Sequence, residues 1–137
     1  ASTYVHAGMI GLDGTKMSKS LGNLIFVSRL INEGVEPMAI RLALLGHHYR
    51  NDHMWGSSEI PDAIAFLERI RLNLARVEVA PTETLIAQIT AALANDLDTV
   101  RVLQLLADWC EATELGSSGG SAGHLSRVLD DLLGLAI

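Results

Sequence analysis

The sequence predicts a mostly α protein, a helical bundle that follows a short strand and a glycine-punctuated loop. Three observations carry this: β-formers without helical period up to Ile10, glycines spaced from Gly8 to Gly22, and apolar residues recurring at three and four from Ser28 onward. The 137 residues are one domain's worth of chain, and 49% hydrophobic with 19% charged residues excludes a disordered tail. One cysteine, Cys110, excludes an internal disulfide framework. There is no apolar run of bilayer length and no leader-like pattern, so a cytoplasmic protein without a membrane partner is expected.

The run from Thr3 to Ile10 reads as a strand. A lone strand leaves its backbone groups unpaired, so the chain is expected to enter a sheet whose other strands lie elsewhere. Gly11, Asp13-Gly14 and Gly22-Asn23 then mark a loop. Ser28 caps a short helix ending at Gly34, and Pro37 opens the next, Met38 to about His48. Ser57 or Ser58 caps a third, with an apolar stripe of Ile60, Ile64, Leu67, Ile70 and Leu74. Pro81-Thr82 starts a fourth, striped by Leu85, Ile86, Ile89 and Leu93. Asp98 caps a fifth, through Val102, Leu105, Leu106 and Trp109 to about Leu115. Gly116 to Ser121 is a flexible connector, and a last helix runs from about His124 to Leu135.

Charge is distributed unevenly. Residues 1–56 carry two Lys and three Arg against four acids, a balance of +1, whereas residues 57–137 carry five Arg against twelve acids, −7. The second part repels a phosphate backbone, which disfavours nucleic acid as a partner. Both lysines of the chain, Lys16 and Lys19, sit in one segment, Lys16-Met17-Ser18-Lys19-Ser20, followed by Leu21-Gly22-Asn23. Two ammonium groups, two hydroxyls and free backbone N–H groups on a glycine-flanked loop can close over a polyphosphate. A lysine placed at a departing pyrophosphate stabilises the transition state more than the ground state.

The pentapeptide matches the signature loop of class I aminoacyl-tRNA synthetases letter for letter, a match expected by chance in about one chain of this length in twenty thousand. The surrounding order, from His6-Ala7-Gly8 through the loop to Ile40–Leu45, His48-Tyr49-Arg50 and Asp96-Leu97-Asp98-Thr99, resembles the C-terminal half of cysteinyl-tRNA synthetases. Two runs, His6 to Gly14 and His47 to Arg50 with Trp55 soon after, are similar in particular to the synthetases' relatives, the mycothiol-pathway cysteine ligases of actinobacteria. One departure is Val100, where many relatives have proline.

That resemblance implies a class I synthetase-type Rossmann catalytic domain largely missing from this chain, with residues 1–36 as its end and 37–137 as a C-terminal helical domain. It implies an ATP-dependent ligase that activates cysteine as cysteinyl-adenylate and transfers it to the amine of glucosaminyl inositol. Lys16 and Lys19 are then the catalytic residues, and Ile10, Lys16, Met17, Ser18, Lys19 and Ser20 the ATP-binding set, Met17 as an apolar anchor. ATP would come with Mg. The zinc that binds the substrate thiol would be held outside this chain, by an N-terminal part that also carries the His-x-Gly-His motif absent here. Alone, the segment is expected to be inactive. A fragment of cysteinyl-tRNA synthetase and a non-catalytic helical interaction module remain the alternatives; the acidic second part favours the small-molecule ligase.

His47, His48 and His53 invite a metal reading, but adjacent histidines on a helix point about 100° apart and the carboxylate at helical spacing, Asp52, falls where the helix ends. No metal is expected in this chain. His48, Tyr49 and Arg50 are read as holding the helical domain against the sheet, Cys110 as core, His6 as lying near the site, and His124 as a surface residue.

Overall fold

A computed structural model describes residues 2–137. Three short strands, β1 (Ile10–Leu12), β2 (Thr15–Lys16) and β3 (His53–Trp55), form a sheet of order β2-β1-β3. Six helices follow or interrupt them: α1 (Val27–Asn32), α2 (Pro37–Leu45), α3 (Glu59–Leu74), α4 (Glu83–Ala94), α5 (Thr99–Glu114) and α6 (Ala122–Leu133). The mostly helical architecture agrees with the sequence.

The strand lies further along than expected, at Ile10–Leu12 rather than over Thr3 to Ile10, and its partners come from this chain. Asp13 (φ 51°) and Gly14 (φ 78°) take the left-handed conformation at both central positions of a two-residue turn. Such a turn matches the twist of a hairpin, so β2 folds back antiparallel on β1 with Leu12 opposite Thr15. On its other side β1 pairs in parallel with β3, Ile10 opposite His53 and Leu12 opposite Trp55. Three residues with no alternation to read, β3 carried no strand signal.

Helix boundaries shift by a few residues. Helix α1 begins at Val27, so Ser28 lies inside its first turn rather than at its cap. Helix α2 ends at Leu45, three residues before His48, with Pro37 at its start. Thr82 caps α4 by position, but its Oγ1 accepts from Ser121 N (3.0 Å), fastening the connector to the helix start. Asp98 behaves as expected, its Oδ1 accepting from Arg101 N at 2.9 Å. Helix α6 spans Ala122–Leu133 and closes on Gly134 at φ 62°.

The core forms where the helical stripes meet. Leu67 and Ile70 of α3, Ile89 of α4, Val102 and Leu106 of α5, and Leu125 and Leu129 of α6 are all buried in one cluster. Cys110 is in it, as expected, and burial raises its thiol to about 11. Trp109 Nε1 donates to Ala80 O (3.0 Å) and Thr113 Oγ1 accepts from Ala80 N (3.1 Å), so the α3–α4 connection is pinned to α5 by buried polar bonds.

Polar ties at the bundle surface repeat that connection. Arg69 grips Glu114 with two bonds of 2.7 and 2.8 Å, and the buried Asn73 donates to the same carboxylate at 2.9 Å. These bonds, that from Arg69 foremost, hold the Glu114 carboxyl down to about 2. An unfolded glutamate titrates near pH 4.3, so the tie contributes its full stability above that pH and loses it as the pH falls toward about 2. A Glu114→Gln variant should therefore show a shallower fall of melting temperature between about pH 4.5 and 2 than the parent; parallel acid limbs in thermal melts would refute the tie.

Candidate active site

The loop expected to bind phosphate leaves the hairpin directly. Lys16 ends β2, and Met17 N donates back to Ile10 O at 3.5 Å, which keeps the start of the loop beside β1. From there Asn23 closes it: its Oδ1 accepts from Ser18 N (2.9 Å), while its Nδ2 donates to Lys16 O (3.3 Å) and Thr15 Oγ1 (3.4 Å). One side chain thus spans the loop from its entry to its exit. Inside, Ser18 Oγ accepts from Leu21 N (3.3 Å) and shares a hydrogen bond with Ser20 Oγ (3.1 Å). Lys16, Lys19 and Ser20 are exposed, whereas Ile10, Met17 and Ser18 are half-buried. The folded loop therefore turns both ammonium groups to solvent, and a bound polyphosphate can gather them without first disrupting the core.

Sequence reasoning treated Asn23 as loop punctuation. Its clasp joins positions five to eight residues apart and leaves no periodic trace; the one signal in the sequence is an asparagine directly after a glycine, Gly22-Asn23.

The approach to β1 is held by the segment after α2. Gly8 N donates to Tyr49 O at 2.7 Å, and a Cβ on Gly8 would stand 2.2 Å from Asn51 O, so only glycine permits this approach. Met9 N donates to Asp52 Oδ1 (2.6 Å) and His53 N to Met9 O (3.0 Å). Tyr49 also reaches the other way: its hydroxyl donates to Asp96 Oδ1 (2.7 Å), which also receives Arg50 Nη2 (2.9 Å). These bonds, that from Tyr49 first, lower the Asp96 carboxyl below its ordinary range. Asp96 lies between α4 and α5, so Tyr49 and Arg50 join helical bundle to sheet as the sequence indicated; His48 is more distant, 3.9 Å from Asp96. His6 is exposed on the chain leading into β1, and His124 is exposed in α6.

The histidines differ from expectation. His47 and His53 stack at 3.8 Å between ring centroids with 9° between planes, and His47 Nε2 meets Glu59 Oε2 at 2.9 Å. Burial, then the neighbouring His47, lowers the tendency of His53 to protonate. The carboxylate beside the histidines comes from the start of α3 and not from Asp52, a partnership across twelve residues that helical spacing could not disclose.

A β-hairpin runs into the lysine-bearing loop and a helical bundle follows. Residues 1–65 match the family model described as tRNA synthetases class I (C) catalytic domain. In fold, the chain superposes over 95% of its length on 20% of the agnB2 LeuRS of Agrobacterium radiobacter K84, solved as a ternary complex with tRNA and LeuAMS, at a TM-score of 0.63 and 23% identity.

The sequence comparisons narrow this class further. Over its whole length the chain is 50% identical to the L-cysteine:1D-myo-inositol 2-amino-2-deoxy-alpha-D-glucopyranoside ligase of Streptomyces coelicolor, covering 34% of that protein. The ligases of the same name from Gordonia bronchialis and Catenulispora acidiphila are 46% and 42% identical over all of this chain and 34% and 35% of their own lengths. The chain is a homologue of these cysteine ligases and spans about a third of their length.

Proposed function

We propose that this chain is the loop-bearing and helical part of an ATP-dependent ligase that joins cysteine to the amine of glucosaminyl inositol, in the cytoplasm. The observation that carries the reading is the Lys16–Ser20 loop, clasped by Asn23 beside β1, in a chain similar over its whole length to about a third of ligases of that name. Residues 1–36 would complete the catalytic domain and 37–137 form the helical domain, which lends β3 to the sheet. The rest of the enzyme would supply the His-x-Gly-His motif and most of the nucleotide-binding sheet.

In the first step a carboxylate oxygen of cysteine attacks the α-phosphorus of Mg-bound ATP, the α–β P–O bond breaks, and pyrophosphate leaves. Lys16 and Lys19 bind the phosphates and take up the charge that grows on the leaving group. Ser18 and Ser20 order the loop, Met17 anchors it, and backbone groups at Ile10 face the adenine. In the second step the amino sugar's nitrogen attacks the activated carbonyl, loses a proton, and AMP departs. Cys110, fully buried with its thiol raised to about 11, is no thiolate ligand for the zinc expected to hold the substrate thiol, and that zinc's ligands would come from the rest of the enzyme.

The test is acceptor-dependent AMP release by the full-length enzyme supplied with ATP and cysteine. Turnover with glucosaminyl inositol and none with tRNA is expected, in keeping with the −7 balance of residues 57–137; turnover with tRNA alone would overturn the reading in favour of cysteinyl-tRNA synthetase. Within the loop, Asn23→Ala removes the clasp without touching a lysine. It should slow cysteine-dependent pyrophosphate exchange about 10- to 100-fold through misplacement of the phosphate-binding groups, with the thermal midpoint nearly unchanged. Exchange at the parental rate would show that the loop orders without Asn23.

A further inference from the structure

We propose that His47, His53 and Glu59 form a binding site for one divalent transition-metal ion of the zinc class, separate from any zinc bound elsewhere in the enzyme. One ligand atom from each of the three residues lies within 4.8 Å of the others. They converge from three elements: His47 from the turn after α2, His53 from β3 and Glu59 from the first turn of α3. Two imidazoles and a carboxylate are the ligand types of an open four-coordinate site.

A second observation points to a ligand. His53 Nε2 is buried and finds no hydrogen-bond partner among the described residues. Buried imidazole nitrogens are ordinarily satisfied, because an unpaired one forfeits its hydration with nothing in return. A coordinated ion supplies that missing partner. Glu59 brings the negative charge that favours a cation, and its present bond to His47 Nε2 at 2.9 Å already holds two of the three groups together. His47 and Glu59 also line a cleft of about 400 Å³ with Ser58, Asp62 and Phe66, which gives an ion a path from solvent and leaves room for water as a fourth ligand.

Coordination requires one change of side-chain pose. With 9° between the ring planes, the in-plane lone pairs of the stacked imidazoles cannot both aim at one ion. Rotation about the terminal torsion of either histidine, a broad and soft coordinate, breaks the stack and turns a lone pair inward. The bound ion would then tie the helical bundle to β3, the strand paired with the one that leads into the phosphate loop.

The experiment is metal analysis of the full-length protein, stripped with chelator and titrated with Zn²⁺ by calorimetry and with Co²⁺ by visible absorption, against His53→Gln and Glu59→Gln. Glu59→Gln keeps a hydrogen-bond acceptor for His47, so it preserves the fold even if His53→Gln does not. The parent should bind one equivalent more than Glu59→Gln, or bind that equivalent at least about 100-fold more tightly, with a Co²⁺ ligand-field band that the variant lacks. Equal metal content, affinity and Co²⁺ spectra in parent and Glu59→Gln would overturn the proposal. These readouts do not depend on which acceptor the enzyme uses, so the ligase reading and the metal site fail separately.

Discussion

Lys19→Ala should slow cysteine-dependent pyrophosphate exchange by about 100- to 1,000-fold, equivalent to roughly 2.7–4 kcal/mol of barrier, the usual cost of removing one donor aimed at developing charge. On the proposed mechanism the loss should fall mainly on kcat, because the charge that Lys19 would meet on a leaving pyrophosphate is larger in the transition state than in bound ATP. Lys19 is exposed, so its removal leaves packing untouched and the thermal midpoint should not move. Undiminished exchange would remove the loop from the chemistry altogether, whatever the acceptor proves to be.

The second large effect concerns stability. Leu106 is fully buried in α5 within the cluster that joins α3, α4 and α6. Leu106→Ala deletes apolar volume that its neighbours cannot refill and should cost about 2–5 kcal/mol. For a domain of this size that is a fall of roughly 6–25 °C in melting temperature. A midpoint within about 2 °C of the parent would mean that the bundle collapses around the gap and is more plastic than its packing shows.

The helices were legible because each long one carries its own apolar stripe, and burial followed that stripe at Leu67 and Ile70, Leu85 and Ile89, Val102 and Leu106, Leu125 and Leu129. Asp98 was legible because a cap is a local bond between near neighbours. What escaped was long-range or short-lived in sequence. Strand β3 is three residues long and owes its existence to a partner more than forty positions earlier. The hairpin was available in Asp13-Gly14 and was read only as loop punctuation, although this dipeptide selects the turn whose twist suits two strands. Among the candidate site residues, the two lysines stand out in the sequence because the chain uses lysine nowhere else, and the structure places both exposed on the one loop. The clasp by Asn23 and the meeting of Glu59 with two histidines required the fold.

The order β2-β1-β3 has a practical consequence. Each flanking strand has a partner on one side only among the described residues, and the middle residue of β3, Met54, is more than half exposed. An unpaired strand edge with apolar side chains is a template for adding another strand, native or foreign. In the proposed full-length enzyme a further strand of the same sheet would cap it. Expressed by itself, the segment offers this edge to its own copies, so self-association should compete with monomeric folding in the test tube. Lysine or proline placed at Met54, more than half exposed on this strand, is the economical way to keep the isolated piece in solution.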